Sequence, residues 1–257
     1  MKKIFPLMAW DFYMARRPLG TVLGVMLLAE TVLALFCASR PTLCTLSQSA
    51  LYGNCGGPLL FLAAYLGALW ASLRPLAMTG GRSRAGCTLL TLPVPRWQIL
   101  LAQVLSSVLA LAAVIACQLL WMVLIYWPTT VIQAMVANAN NLGDLVQQRS
   151  LWWELTANPV LNLLLPWQGG TIWRLPLFLL IPALIAPGIP LHRGAARFVA
   201  VCLTVAGALL CLALAAVYLV KQEYDAGDLW MVGLVCLLGL FSWFWSLRAL
   251  RRAAPIP

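Results

Sequence analysis

Long apolar runs alternate along this chain with short polar connections bounded by proline or glycine, and that alternation predicts helices. A membrane-spanning helix needs about 20 mostly apolar residues. Six stretches approach or exceed that length: 19–38, 58–74, 98–126, 173–190, 196–220 and 229–247. They lack the alternation of a barrel strand, so bundled helices are the way left to satisfy backbone groups in hydrocarbon. The expected fold is all-α: a polytopic membrane helix bundle with six transmembrane helices, forming a single domain over 1–257.

The stretches between the runs add detail. Residues 4–17 are too short and too charged to span, yet Phe5, Met8 and Phe12 recur at helical spacing beside Trp10 and Tyr13. This predicts an amphipathic interfacial helix at the amino terminus. Pro18 is expected to restart the chain as the first residue of a new helix, and the run behind it carries Gly20-x-x-x-Gly24, a close-packing motif of low specificity. Residues 39–57 have a loop composition, with Pro41, Asn54, Gly56 and Gly57. The run at 98–126 is long enough to tilt. The stretch 127–172 reads as a non-spanning outer region with one or two short helices, and its tryptophans suit the water boundary of a bilayer. Pro176, Pro182, Pro187 and Pro190 predict that the fourth run is kinked or partly unwound.

Composition agrees and charge sets direction. The chain is 63% hydrophobic and 9% charged, against about 25% charged for a soluble domain. Of the 17 lysines and arginines, four (Arg40, Arg149, Arg174 and Lys221) fall on one side of the six-run topology and the remainder on the side of the amino terminus. The positive-inside rule then places both termini in the cytoplasm of a multi-pass protein of a cell membrane, as in the bacterial cytoplasmic membrane. The net charge of +10 is explained by topology and does not require nucleic acid as a partner. The start Met1-Lys2-Lys3, followed by Pro6, Asp11, Arg16 and Arg17, does not resemble a cleavable signal, so the first helix is expected to be retained.

Few residues suggest chemistry. The cysteines at 37, 44, 55, 87, 117, 202, 211 and 236 form no C-x-x-C pair and there is one histidine, His192, so no metal site is expected. Cys44 and Cys55 share a predicted outer loop, where a disulfide can form. Motifs of zinc hydrolases and nucleophile elbows are missing, and so is a phosphate loop, so no enzyme and no cofactor are expected in this chain. Glu30 is the one acid inside a predicted span, where a charge costs about 2.5–3.5 kcal/mol. It is a candidate functional site by default; the competing reading is a helix-packing residue with Gln118 of the third run as partner.

The inner segment 75–97 holds Gly86, Leu89, Leu90, Leu92, Pro93, Val94, Pro95 and Arg96, running into Ile99-Leu-Leu-Ala-Gln103. A small residue, then leucines, then a Pro-Val-x-Arg turn into a span resembles the inner loop of ABC transporter permeases of the type-2 export class. The six-run layout and the amino-terminal amphipathic helix are similar as well. The resemblance implies that 75–97 is a coupling segment, docked through Gly86, Leu89, Leu90, Leu92, Pro93 and Arg96 on a separate ATPase subunit that binds the ATP. It also implies a second permease subunit, identical or paralogous. The family often carries an acid before the small residue and a lysine where Gln103 stands; Gly80, Gly81, Arg82, Ser83 and Arg84 depart from this and imply a differently charged partner surface.

Apart from the family, Pro93 and Pro95 end one short helix and fix the start of the next, so force on 82–92 would reach the third run with little slack. An ordinary basic loop at the lipid headgroups is the alternative. For the whole chain the alternatives are an ATP-independent secondary transporter, if Glu30 holds a proton or ion, and a non-transporting membrane scaffold or immunity-type protein acting through its outer region. Peptides, lipids and amphiphilic drugs are all compatible with the aromatic outer region.

Overall fold

Helices satisfy their own backbone groups, and every regular element among the described residues is a helix. The computed structural model describes residues 4–74, 94–142, 150–164, 174–187, 189, 198–202, 206 and 226–252. The helices are α1 (Ile4–Ala38), α2 (Gln48–Asn54), α3 (Gly57–Ser72), α4 (Arg96–Ala139), α5 (Leu151–Ala157), α6 (Pro159–Leu164), α7 (Arg174–Ile185) and α8 (Ala226–Arg252).

Two of them, α1 with 35 residues and α4 with 44, are long and apolar enough to cross a membrane, and the α2–α3 pair, bent by 68°, makes a third if it is one broken span. The chain is a helical membrane protein, with two or three such helices among the described residues where the hydrophobic pattern predicts six. Part of the difference lies in α7. Its 12 described residues reach about 18 Å, against the roughly 30 Å hydrocarbon core. It stops before Pro187, because the residue ahead of a proline is disfavoured in the helical region. Most of the run at 196–220 lies outside the described residues, and the run at 229–247 falls within α8.

The prolines of α1 and α4 act differently from expectation. Pro18 lies inside α1, so residues 4–17 are the first turns of that helix and not a separate interfacial one. Pro128 lies inside α4, which continues to Ala139, well into the stretch expected to be non-spanning. An interior proline costs about 3 kcal/mol. Ending a helix leaves up to four N–H and four C=O groups unpaired, each costing several kcal/mol in apolar surroundings. Carrying on through the proline is the smaller loss.

The long helices expose apolar side chains and bury their polar ones within a mostly apolar core. On α4, Leu105, Leu109, Leu120, Leu124, Trp127, Val131 and Met135 are exposed, while Gln103, Ser107, Gln118, Thr129 and Gln133 are buried. On α1, Val25, Leu28, Val32 and Phe36 are exposed and Met26, Glu30 and Ala34 are buried. Such a distribution suits lipid, since apolar faces have nothing to gain by avoiding it while polar groups must find partners within the protein.

Two compact units share the chain: one comprises residues 1–19, 68–112 and 175–257, the other residues 20–67 and 113–174. In the first, the Gln103 amide donates to the Ser72 carbonyl at 2.5 Å and the Ser72 and Ser107 hydroxyls meet at 2.9 Å, joining α3 to α4. Ser242 of α8 donates to the Ile185 carbonyl of α7 at 3.4 Å. Asp11, which the sequence places at an interface, is buried in α1, so Glu30 is not the one acid enclosed in that helix.

In the second unit, α5 packs against α2 and α6. Gly67 of α3 lies so close to α1 that a Cβ there would come within 3.1 Å of Val22 Cγ1. A Cβ at Gly20 or Gly24 would meet nothing within 4 Å, so the Gly20-x-x-x-Gly24 motif makes no close packing within the described chain. The disulfide joins Cys37 to Cys55 across a Cα separation of 6.5 Å, not Cys44 to Cys55. The backbone turn in which Leu43 and Cys44 both donate to the Arg40 carbonyl buries Cys44, whose thiol donates to the Pro41 carbonyl at 3.1 Å.

Candidate functional site

The most polar part of the second unit is built around α2, a helix of seven residues. So short a helix is marginal alone, and it is held by its surroundings. Ser47 caps it, accepting the Ala50 N–H at 3.4 Å, and Cys55 at its other end is tied to α1 by the disulfide. Gly56, with φ of 77°, then turns the chain into α3, a left-handed conformation that glycine adopts without Cβ strain.

Three side chains of α4 fix the segment 46–52. Gln133 donates to the Leu46 carbonyl at 3.1 Å, Thr129 pairs with the Gln48 amide, and the Gln118 amide donates to the Tyr52 hydroxyl at 3.1 Å. Gln48 also donates to the Tyr126 carbonyl at 3.2 Å. From α5, Glu154 Oε2 accepts the Ser49 N–H at 2.8 Å. A carboxylate at the first turn of a helix also favours the helix dipole. Ser150 caps α5, accepting from the Trp153 N–H at 3.4 Å, and so helps set where Glu154 stands.

Glu30 completes the site from α1. It lies on the buried stripe Met26, Glu30, Ala34, Ala38, where four-residue steps keep to one helix face. The Tyr52 hydroxyl donates to Glu30 Oε1 at 3.3 Å. Glu30 and Gln118 are 2% and 0% exposed, and Glu30 Oε2 and Gln118 Oε1 are buried with no hydrogen-bond partner. Beside them, Trp121 Nε1 donates to Thr31 Oγ1 at 2.9 Å and its ring stands 5.9 Å from that of Tyr52. Gly57 is essential to this geometry, because a Cβ there would overlap three atoms of the Tyr52 ring.

The structure therefore brings Glu30 and Gln118 together with Tyr52 between them. Arg96, the other candidate it describes, opens α4 and is half-buried. Gly86, Leu89, Leu90, Leu92 and Pro93 lie outside the described residues, as does His192. Among the described residues no group of three His, Cys, Asp or Glu side chains could hold a metal ion.

Sequence reasoning missed Gln48, Ser49 and Tyr52, in a stretch read as loop, and Glu154, in the outer region read as holding one or two short helices. One signal pointed towards them. Gln103, Ser107, Gln118, Thr129 and Gln133 are spaced four, eleven, eleven and four residues apart, and eleven residues is close to three turns. A stripe of that kind needs polar partners inside the protein. No protein-family model matches the chain, no curated protein matches it, and no solved structure matches it.

Proposed function

We propose that this chain is the membrane-spanning permease subunit of an ABC-type exporter, moved by ATP hydrolysis in a separate subunit. One observation carries the reading beyond the sequence resemblance. The Gln98 N–H donates to the Pro95 carbonyl at 2.8 Å, so α4 begins directly behind Pro95. From there it runs for 44 residues, about 66 Å, and its polar stripe reaches the network around Glu30. Displacement of residues 75–93 by a docked partner would act on α4 with little slack, as rigid-body alternation requires.

In this reading six spans cross the cytoplasmic membrane with both termini inside, and a second permease subunit, identical or paralogous, completes the pathway. The Cys37–Cys55 disulfide supports placing that end of α1 outside, since disulfides persist in oxidising compartments. The partner ATPase binds the nucleotide, docked on Gly86, Leu89, Leu90, Leu92, Pro93 and Arg96.

The test is co-purification with a phosphate-loop ATPase, with Leu89, Leu90 and Arg96 replaced by alanine or glutamate. The reading expects the complex to weaken in the alanine variants and to dissociate in the glutamate ones. Retention of the complex in every variant contradicts the coupling assignment, and transport by this chain in the absence of any ATPase contradicts the reading as a whole.

A further inference from the structure

The cluster of Glu30, Tyr52 and Gln118 is one donor short. Tyr52 spends its hydroxyl hydrogen on Glu30 Oε1 and receives one from Gln118 Nε2. Glu30 Oε2 and Gln118 Oε1 remain, two acceptors without a donor on side chains at least nine-tenths buried. Glu30 and Gln118 meet at the one Tyr52 hydroxyl, Glu30 Oε1 at 3.3 Å and Gln118 Nε2 at 3.1 Å. Around Glu30, α2 presents Tyr52, α4 presents Gln118 and Trp121, and α3 approaches α1 through Gly67, so none of these brings a positive charge. Of the other titratable groups on these and adjoining elements, Glu154 is engaged by the Ser49 N–H and Cys117 precedes Gln118 on α4.

The missing partner must be small. A calcium or magnesium ion takes about six to eight oxygen ligands, and two orphaned oxygens do not approach that. An organic ammonium needs room, but the Tyr52 ring already fills the space over Gly57 and stands 5.9 Å from that of Trp121. A proton needs no room and serves both oxygens at once.

We propose that Glu30, Tyr52 and Gln118 form a proton-binding site, in which Glu30 holds a proton on Oε2 and donates it to Gln118 Oε1. Loading transfers one proton from hydronium to the carboxylate, leaving water and a neutral acid; release reverses both. Loss of the proton places a bare carboxylate against Tyr52, and so acts on α2. A proton here is the condition named above for the ATP-independent alternative, and the test below reads the proton itself, apart from any ATPase.

Infrared difference spectroscopy of the full chain in lipid nanodiscs tests this. The expected result is a carbonyl stretch of a protonated carboxylic acid at neutral pH that disappears in Glu30→Gln and persists in Asp11→Asn. Tyr52→Phe and Gln118→Ala should shift the band, and saturating sodium chloride should leave it in place. The proposal is overturned if Glu30→Gln removes no such band, if neither partner substitution moves it, or if sodium abolishes it and so identifies a cation as the ligand. Should Glu30→Gln fail to fold, a band unmoved in both Tyr52→Phe and Gln118→Ala overturns the proposal equally.

Discussion

Replacing Gly57 by alanine adds one methyl group at the point where α3 begins beneath the Tyr52 ring. The added Cβ would overlap Cδ2, Cε2 and Cζ of that ring, and Tyr52 is 5% exposed with its hydroxyl engaged on two sides. Overpacking of this kind costs about 1–3 kcal/mol. Moving the ring also forfeits two hydrogen bonds, each contributing about 1 kcal/mol. Alanine returns up to about 1 kcal/mol through helix propensity, less at a helix start. The expected net loss is about 2–4 kcal/mol by these figures. Gly24→Ala is the control: its Cβ would meet nothing within 4 Å, so the same methyl should stabilise by about 0.5–1 kcal/mol. Thermal unfolding in detergent, followed by tryptophan fluorescence, reads both, and Trp121 lies beside the affected ring. In a Tyr52→Ala background the Gly57→Ala loss should largely vanish, which a double-mutant cycle measures. Equal and favourable effects of Gly57→Ala and Gly24→Ala would refute this account of the site.

Other substitutions probe the rest of the network. Cys37→Ser or Cys55→Ser opens a link across a sequence separation of 18 and should lower stability by about 3 kcal/mol on the chain-entropy account; mass mapping under non-reducing conditions should show the pair intact in Cys44→Ser. Glu154→Ala removes the acceptor of the Ser49 N–H at 2.8 Å and should cost about 1.5–3 kcal/mol, whereas Glu154→Gln keeps an acceptor and should lose less in the same melt. Asn158 Oδ1 accepts the Val160 and Leu161 N–H groups at 3.0 and 3.1 Å, so Asn158→Ala should cost about 1 kcal/mol and raise amide exchange at those two positions.

Much of this architecture could be read from residue order. The apolar runs fix the helical class, and Glu30 and Gln118 stood out as polar residues inside such runs. Tyr52 did not, because α2 is too short to show a helical period and lies in a stretch whose Pro41, Gly56 and Gly57 look like loop. Its Ser47 cap is a local signal that acquires meaning only once α4 and α5 are in place to hold it. The expectation that Pro18 starts a new helix failed, and α4 runs through Pro128 beyond the expected end of its run, for one physical reason: apolar surroundings penalise a helix end more than a missing hydrogen bond. Pairing of Cys55 with Cys37 depended on the turn at Arg40–Cys44, which cysteine spacing does not reveal. Glu154 follows exposed Trp152 and Trp153 in the outer stretch, yet a single helical step turns its side chain inward against α2.

ATP hydrolysis by the complex, reconstituted in proteoliposomes with its phosphate-loop ATPase, tests the central claim most directly. The account predicts that adding this chain changes the hydrolysis rate of the ATPase and that Leu89→Glu with Leu90→Glu abolishes that change while the chain remains folded in the membrane. Hydrolysis indifferent to the chain, or a coupling that survives both substitutions, would contradict it.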